Sequence, residues 1–399
     1  QPDDAIYHLR RALDIEPGRD ALLELLQMMY RRIDAWPEMA RVIRDRIDHE
    51  ADPDAEIELW RSLGETCDEK LGQPEEAIEA YREILSIDAG DRSALESLER
   101  LYEQQARWQD LIDILERKAD TTYDPEEIVA IRQDIAHIRE GELDQPTEAV
   151  RAWHQVLEVE QDNEQALDAL ERLNFELAAW DDLIDVYDRR LEVTHEPQAQ
   201  VEIYEKMAVV HEEQRNAPAD AIEAYRQVLM IDPEHVEAME NLERLYRAGE
   251  QWFDLVDILQ QHIDVADEDE QVALLNELAR IQRDKLEDAY AAIESFESSL
   301  EADSGQPNVL FDVAELQEST SNWQQAIDAY RRLVDYLEDP VDQIDVLFTI
   351  GEIFEAELSD DRRAAEALED ALEVDPTHVA SRDAIEDIYT RRGEWDALI

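Results

Sequence analysis

The chain has 399 residues, of which 44% are apolar, and its formal net charge is −66. So acidic a chain offers no basic face for nucleic-acid phosphates or for an anionic membrane surface, and this argues against both as partners. A single cysteine, Cys67, excludes an intramolecular disulfide and a cysteine metal cluster, and no apolar run approaches the roughly 20 residues that span a bilayer.

The acidity has two interpretations, which the sequence leaves open. Only four of the 37 basic residues are lysines, so 33 are arginines, and an acid excess with few lysines favours a salt-loving source. On that interpretation the acidity keeps the protein soluble and belongs to the organism. On the other, it serves to attract a basic partner. The compartment, cytoplasmic or periplasmic, also stays open.

Six tryptophans are spaced almost evenly along the chain, and this predicts an internal repeat. They are separated by 72, 72, 72, 71 and 72 residues, at Trp36, Trp108, Trp180, Trp252, Trp323 and Trp395. The predicted units are residues 2–73, 74–145, 146–217, 218–288, 289–360 and, in part, 361–399. Stacked units of this kind form one continuous solenoid, here over residues 1–399, rather than separate globular domains.

Each unit is predicted to contain four helices. In residues 74–86 the apolar side chains recur at the i, i+3, i+4, i+7 spacing of a half-buried helix, and residues 92–105 continue in the same way. Trp108 begins the third helix, and Asp124-Pro125 is a strong start signal for the fourth. Because the loops have only two to five residues, neighbouring helices must pack side by side. The sequence therefore predicts about 22 helices.

Both ends of the chain interrupt the pattern. Gln1-Pro2 matches Gln73-Pro74, where the second helix of a hairpin begins, and the chain stops soon after Trp395, where other units continue a helix. Terminal repeats of a solenoid normally present a polar outer face, and neither end does. We expect the chain to be a fragment of a longer protein.

Short motifs within the unit identify the family that the chain resembles. Trp60, Leu63 and Gly64 have the spacing W-x2-L-G, and Ala221 and Tyr225, followed by Pro233, match A-x3-F and the closing proline. With steps of 34 and 38 residues between hairpins, the chain resembles tetratricopeptide (TPR) repeats along its whole length. The resemblance implies an all-α, right-handed superhelical α-solenoid of about eleven antiparallel helix hairpins. It also implies a concave groove lined by the first helix of each hairpin, which binds a peptide or a partner helix.

Two sets of repeated positions concern packing. Small residues are expected where two helices approach closely, at Gly64, Ala136, Ala208, Ala279 and Gly351 and at Ala77, Ala149 and Ala221. The tryptophans are expected to fill the wider gap between hairpins. Where the family usually has a small residue, this chain has Glu99, Glu171 and Glu243, which predicts looser or locally shifted packing there.

No pattern for catalysis or cofactor binding was found in the sequence. None of the nine histidines pairs at a metal-ligand spacing, and there is no HExxH motif, no glycine-rich phosphate loop and no GxSxG. His235 and His378 occupy the same repeat position at the start of a helix, which indicates a structural role. We therefore expect no enzyme, no cofactor and no metal site.

One polar position recurs in a way that suggests binding, at Arg100, Arg172 and Arg244. On the groove-facing helices these arginines could contact a partner's carboxylates, since the guanidinium fork suits bidentate contacts. Alternatively, each pairs with the acid four residues earlier in its own helix. The sequence thus favours a non-enzymatic scaffold for a peptide or protein partner. A spacer or regulatory arm of a larger enzyme and a self-assembling structural element stay open as alternatives.

Overall fold

The computed structural model describes residues 2–393, and it is all-helical over this range, with 22 α-helices, three short π-helical turns and no strand. The prediction of an all-α chain with eleven helix hairpins is confirmed. Gln1 and Trp395, which the sequence analysis used for the chain ends, lie outside the described residues.

The chain divides into two compact units, Gln1–His195 and Glu196–Ile399. In each unit, every helix packs against the next one along the chain, as in an α-solenoid. One continuous solenoid over residues 1–399 stays a prediction. The helices of the first unit are α1 (Pro2–Leu13), α2 (Asp20–Arg32), α3 (Trp36–Ile47), α4 (Pro53–Glu65), α5 (Pro74–Ile87), α6 (Arg92–Gln104), α7 (Trp108–Thr121), α8 (Pro125–His137), α9 (Pro146–Val159), α10 (Glu164–Glu176) and α11 (Trp180–Val193), with π-helical turns at Thr66–Leu71 and Ile138–Glu142.

The second unit repeats the arrangement. Its helices are α12 (Pro197–Val209), α13 (Pro218–Ile231), α14 (Val236–Ala248), α15 (Trp252–Val265), α16 (Glu268–Asp284), α17 (Ala289–Ala302), α18 (Pro307–Ser319), α19 (Trp323–Val334), α20 (Pro340–Ala356), α21 (Asp361–Val374) and α22 (Val379–Arg392), with a π-helical turn at Val210–Gln214.

The predicted start signals begin helices where expected. Pro125 is the first residue of α8, and the Asp124 carboxylate accepts a hydrogen bond from the Glu126 backbone N–H. Asp91 caps α6 in the same way, accepting from the Ala94 N–H. Proline needs no hydrogen-bond partner at the first helical position, so it begins a helix at little cost.

A left-handed residue lies two positions before each of the six regularly spaced tryptophans. Ala106 has φ 52°, and the Arg107 N–H donates to the Tyr102 carbonyl at 2.9 Å, which closes α6 as a Schellman motif. The residues in this position are Asp34, Ala106, Ala178, Glu250, Ser321 and Gly393. Only the last is a glycine, so in the other five the turn forms against the usual preference of L-residues.

The small residues lie where helices approach closely, as predicted. Ala136, Ala208 and Ala279 are fully buried, and a Cβ added to Gly64 would lie 2.8 Å from the ring of Tyr81. A Cβ on Gly351 would be as close to Leu368. Distances below 3.0 Å are too short for carbon atoms, so these two glycines permit the helix contact.

The core is apolar in both units, and Cys67 is a fully buried part of it, as expected. Trp36, Trp108 and Trp323 are half-buried and pack against the core. That the tryptophans fill the gap between hairpins stays a prediction. Within the described residues, no helix is long and apolar enough to cross a membrane.

Candidate functional site

The three predicted binding arginines occupy equivalent places on even-numbered helices. Arg100 lies on α6 and Arg172 on α10 in the first unit, and Arg244 lies on α14 in the second. Their side chains are 46%, 48% and 52% exposed, so each guanidinium reaches solvent. We call these three residues the arginine surface.

Each of these arginines pairs with a carboxylate 32 positions earlier, not with the acid four positions earlier as the alternative interpretation held. Arg100 pairs with Asp68, Arg172 Nη2 donates to Glu140 at 2.6 Å, and Arg244 donates to both carboxylate oxygens of Glu212. The three acids belong to the π-helical turns that follow α4, α8 and α12. Each pair thus joins an even-numbered helix to the π-helical turn that follows the preceding even-numbered helix.

The electrostatics of the pair are clearest at Arg244. Its hydrogen bonds and charge hold the pKa of the Glu212 carboxyl below its ordinary value. A guanidinium carries five N–H donors, and a bidentate contact with one carboxylate uses only two of them. Arg244 Nη2 also donates to Asn241 Oδ1 at 2.9 Å, so Nε and one N–H of Nη1 are the donors left for a second carboxylate.

Sequence reasoning missed the partners of the three glutamates. Each pairs with a base 19 residues later on the other helix of the same hairpin: Glu99 with Lys118, Glu171 with Arg190, and Glu243 with His262. Glu243 is buried and accepts a hydrogen bond from His262 Nδ1 at 2.7 Å. The signal was available, because the three bases are themselves 72 residues apart. The looser or locally shifted packing expected at these glutamates stays a prediction.

Two cavities occur at equivalent positions on the odd-numbered helices. The first, about 440 Å³, lies among α5, α6 and α7, and the second, about 400 Å³, among α13, α14 and α15. In the first, Arg82 Nε donates to the Tyr102 hydroxyl at 2.6 Å and Arg82 Nη2 to Asp110 at 3.0 Å. In the second, Arg226 makes the same two bonds, to Tyr246 at 2.8 Å and Asp254 at 3.1 Å.

Two of the histidines have structural roles at the starts of helices. His235 and His378, predicted to be structural, cap α14 and α22, each accepting a backbone N–H through Nδ1. Among residues 2–393, no group of three or more histidine, cysteine or acidic side chains is arranged to hold a metal ion.

Family models identify three repeats in the chain. Residues 57–91, 94–129 and 238–273 each match a tetratricopeptide repeat. They correspond to the hairpins α4–α5, α6–α7 and α14–α15. Two of the three arginines, Arg100 and Arg244, therefore lie on matched repeats. The even-numbered helices are the first helices of these repeats. Repeats of this type commonly serve protein–protein interaction, which supports a protein-binding scaffold.

The chain is also similar to several solved structures. YrrB, described as a TPR protein with an unusual peptide-binding site, is 18% identical, with 46% of this chain and 91% of that chain covered and a TM-score of 0.29. The Cut9–Hcn1 hetero-tetramer of the APC/C is 14% identical, with 98% and 84% covered and a TM-score of 0.24. PilF of Pseudomonas aeruginosa is 15% identical, with 67% and 99% covered and a TM-score of 0.27.

No curated protein matches the chain. The repeats, and not these distant structural likenesses, carry the assignment. Their matches fall in both units, and the rest of the described chain continues the same alternation of helices. The chain is all-helical over the described residues and tetratricopeptide-like, with tetratricopeptide repeats at residues 57–91, 94–129 and 238–273.

Proposed function

We propose that the chain is a non-enzymatic scaffold that holds a partner peptide or protein on a concave surface formed by its even-numbered helices. The observation that carries this proposal is the arginine surface, because the same half-exposed guanidinium recurs at one repeat position on α6, α10 and α14. In this proposal Arg100, Arg172 and Arg244 contact carboxylates of the partner.

The pairs within the chain do not prevent such contacts. An ion pair between exposed side chains contributes only about 0.2–1 kcal/mol, because water already solvates both charges well. A partner carboxylate can therefore share the guanidinium with Asp68, Glu140 or Glu212, or displace it, at little cost. Association excludes water from the contact, and each charge-assisted hydrogen bond then gains strength.

The partner that fits best has a basic surface with acidic side chains at the arginine positions. A net charge of −66 attracts a basic protein over distances comparable to the Debye length, and this attraction raises the association rate. The arginines then fix the position of the partner along the even-numbered helices, since each is a positive charge among acidic side chains. Affinity should fall as salt is added, because screening weakens both contributions.

The experiment compares two triple variants of the full chain as bait. The variant Arg100→Gln, Arg172→Gln, Arg244→Gln removes the positive charges without introducing new ones. Captured proteins are identified by mass spectrometry from an extract of the source organism at its own salt concentration. We expect the partner that wild type enriches to be lost from this variant.

The matched control removes the opposite half of each pair, by Asp68→Asn, Glu140→Gln and Glu212→Gln. If the arginines contact the partner, this variant keeps or increases capture, because its guanidinium groups no longer bind their own carboxylates. If the pairs only connect helices, both variants lose capture to the same extent. Undiminished capture by the arginine variant would also reject the proposal.

A further inference from the structure

We propose that the second cavity, among α13, α14 and α15, binds an arginine or lysine side chain presented by a partner protein. Most of its lining residues belong to the odd-numbered helices α13 and α15, and none belongs to the arginine surface, so the site goes beyond the function proposed above. It is defined by an acidic rim, an apolar wall and a volume of about 400 Å³, larger than one extended basic side chain requires.

The charges around the cavity favour a cation. Three carboxylates, of Glu223, Asp254 and Asp257, surround a single guanidinium, that of Arg226. Arg226 is already held by the Tyr246 hydroxyl and by Asp254, and its guanidinium lies 5.6 Å from the centre of the Tyr246 ring. It therefore neutralises Asp254 and offers little to an anionic ligand, which leaves the cavity with an excess of negative charge.

Asp257 is the group that would receive the cation. It is exposed at the cavity and has no hydrogen-bond or ion-pair partner among residues 2–393. Leu229 and Ile258 form the apolar wall, and Met230, whose side chain is 75% exposed, extends it to the rim. Arginine and lysine combine an aliphatic stem with a charged head, so the stem can cover this wall while the head reaches Asp257.

In the equivalent cavity of the first unit, the positive and negative charges of the lining residues balance. Arg117 there occupies the position of Gln261 in the second cavity, so two arginines face two aspartates and the lining charges cancel. Asp113, the counterpart of Asp257, also accepts a hydrogen bond from Gln109 at 3.3 Å, whereas Phe253 occupies that position in the second unit. The second cavity has neither a counterpart of the Arg117 charge nor a counterpart of the Gln109 hydrogen-bond donor.

The test uses the full chain labelled with ¹³C at the methionine methyl groups. Met230 reports on the second cavity, and Met28, which is also exposed but belongs to the first unit, is the control signal. The probe is the peptide acetyl-Gly-Arg-Gly-amide, and acetyl-Gly-Gln-Gly-amide has a similar length without the charge. We expect a saturable shift of the Met230 signal with the arginine peptide, no shift of Met28, and no saturable shift with the glutamine peptide.

Two matched variants locate the binding. Asp257→Asn should raise the Kd of the arginine peptide by about threefold or more, the effect of losing one exposed ion pair, and Asp113→Asn should leave it unchanged. Equal shifts with the two peptides, no shift of Met230, or an unchanged Kd in Asp257→Asn would each overturn the proposal. Because the probe is a free peptide and the reporter lies on α13, these outcomes do not depend on whether the arginine surface binds its partner.

Discussion

In the first unit, the glutamate–base pairs of the hairpins are partly exposed to solvent, whereas the equivalent pair in the second unit is buried. Lys118 and Glu99 are 19% and 31% exposed, but His262 and Glu243 are only 2% and 10% exposed. One repeat later, Ala314 and Leu333 occupy the two positions, both buried and both apolar. The hairpin geometry therefore accepts an ion pair, a buried hydrogen-bonded pair or an apolar contact.

This difference shows that burial, and not the repeat itself, decides how much the pair contributes. A surface ion pair adds little to the free energy of unfolding because its charges are well solvated in either state. A buried pair holds two polar groups away from water, so the loss of one partner leaves the other unsatisfied. His262 Nε2 has no hydrogen-bond partner among residues 2–393, although a carboxylate oxygen of Glu270 lies 3.8 Å from it.

The largest effect is expected from breaking the buried pair. His262→Ala should destabilise the α14–α15 hairpin by about 3–5 kcal/mol, because it leaves Glu243 buried without its donor. Lys118→Ala, the matched change in the first unit, should cost less than about 1 kcal/mol. Hydrogen-exchange mass spectrometry of peptides from the two hairpins measures both changes in the full chain.

The repeat also supplies a replacement for the pair. The double variant Glu243→Ala, His262→Leu copies Ala314 and Leu333, and it should recover most of the stability that His262→Ala loses, since an apolar pair leaves no buried group unsatisfied. A double variant as unstable as the single one would mean that the backbone around α14 requires the polar pair, and the comparison between units would fail.

The sequence predicted the fold well because its signals are local. Helix periodicity and the proline and aspartate starts each depend on residues within one helix, and the 72-residue spacing repeats the same local signals along the chain. The depth at which the tryptophans are buried could not be predicted, because a large apolar residue at a helix start can lie at the edge of the core as well as inside it. Nothing in their spacing distinguishes the two positions.

The candidate sites were harder to predict because they depend on how separate helices align. The partner of Arg100 lies 32 residues away, and a search limited to one helix turn finds Glu96 instead of Asp68. The cavities require three helices at once. Yet Asp68, Glu140 and Glu212 follow the 72-residue spacing as strictly as the arginines, so comparing columns of the repeat in pairs could have found the contacts.

A smaller effect is expected at the left-handed turns, where the first unit has alanine and the second ends with glycine. Ala106 and Ala178 are exposed and have φ 52°, a conformation that favours glycine. Ala106→Gly should therefore stabilise the chain by about 1 kcal/mol, because it removes the strain at Cβ. Ala130→Gly, at an exposed position inside α8, should have the opposite sign. Thermal unfolding of the full chain measures both, and two shifts of the same sign would contradict the argument.

The smallest expected effect concerns pH, and it again distinguishes the buried pair. Burial raises the pKa of the Glu243 carboxyl, with a further contribution from the charge of Glu277, although the hydrogen bond and charge of His262 and the charge of Arg247 oppose this. A raised pKa means that the folded state holds the proton more tightly than the unfolded state does. The resulting stability is complete below the unfolded carboxyl pKa of about 4.3 and is lost as the pH rises through the folded value.

Glu243→Gln cannot titrate, so its stability relative to wild type should increase from pH 4 to pH 7. The measurement is the difference between the midpoints of thermal unfolding of the two proteins at each pH, which cancels the titration of the many other carboxylates. A difference that stays constant over this range would mean that water reaches Glu243 in the folded chain. The contrast between the closed pair of the second unit and the open pairs of the first would then lose its physical basis, because both would be solvated alike.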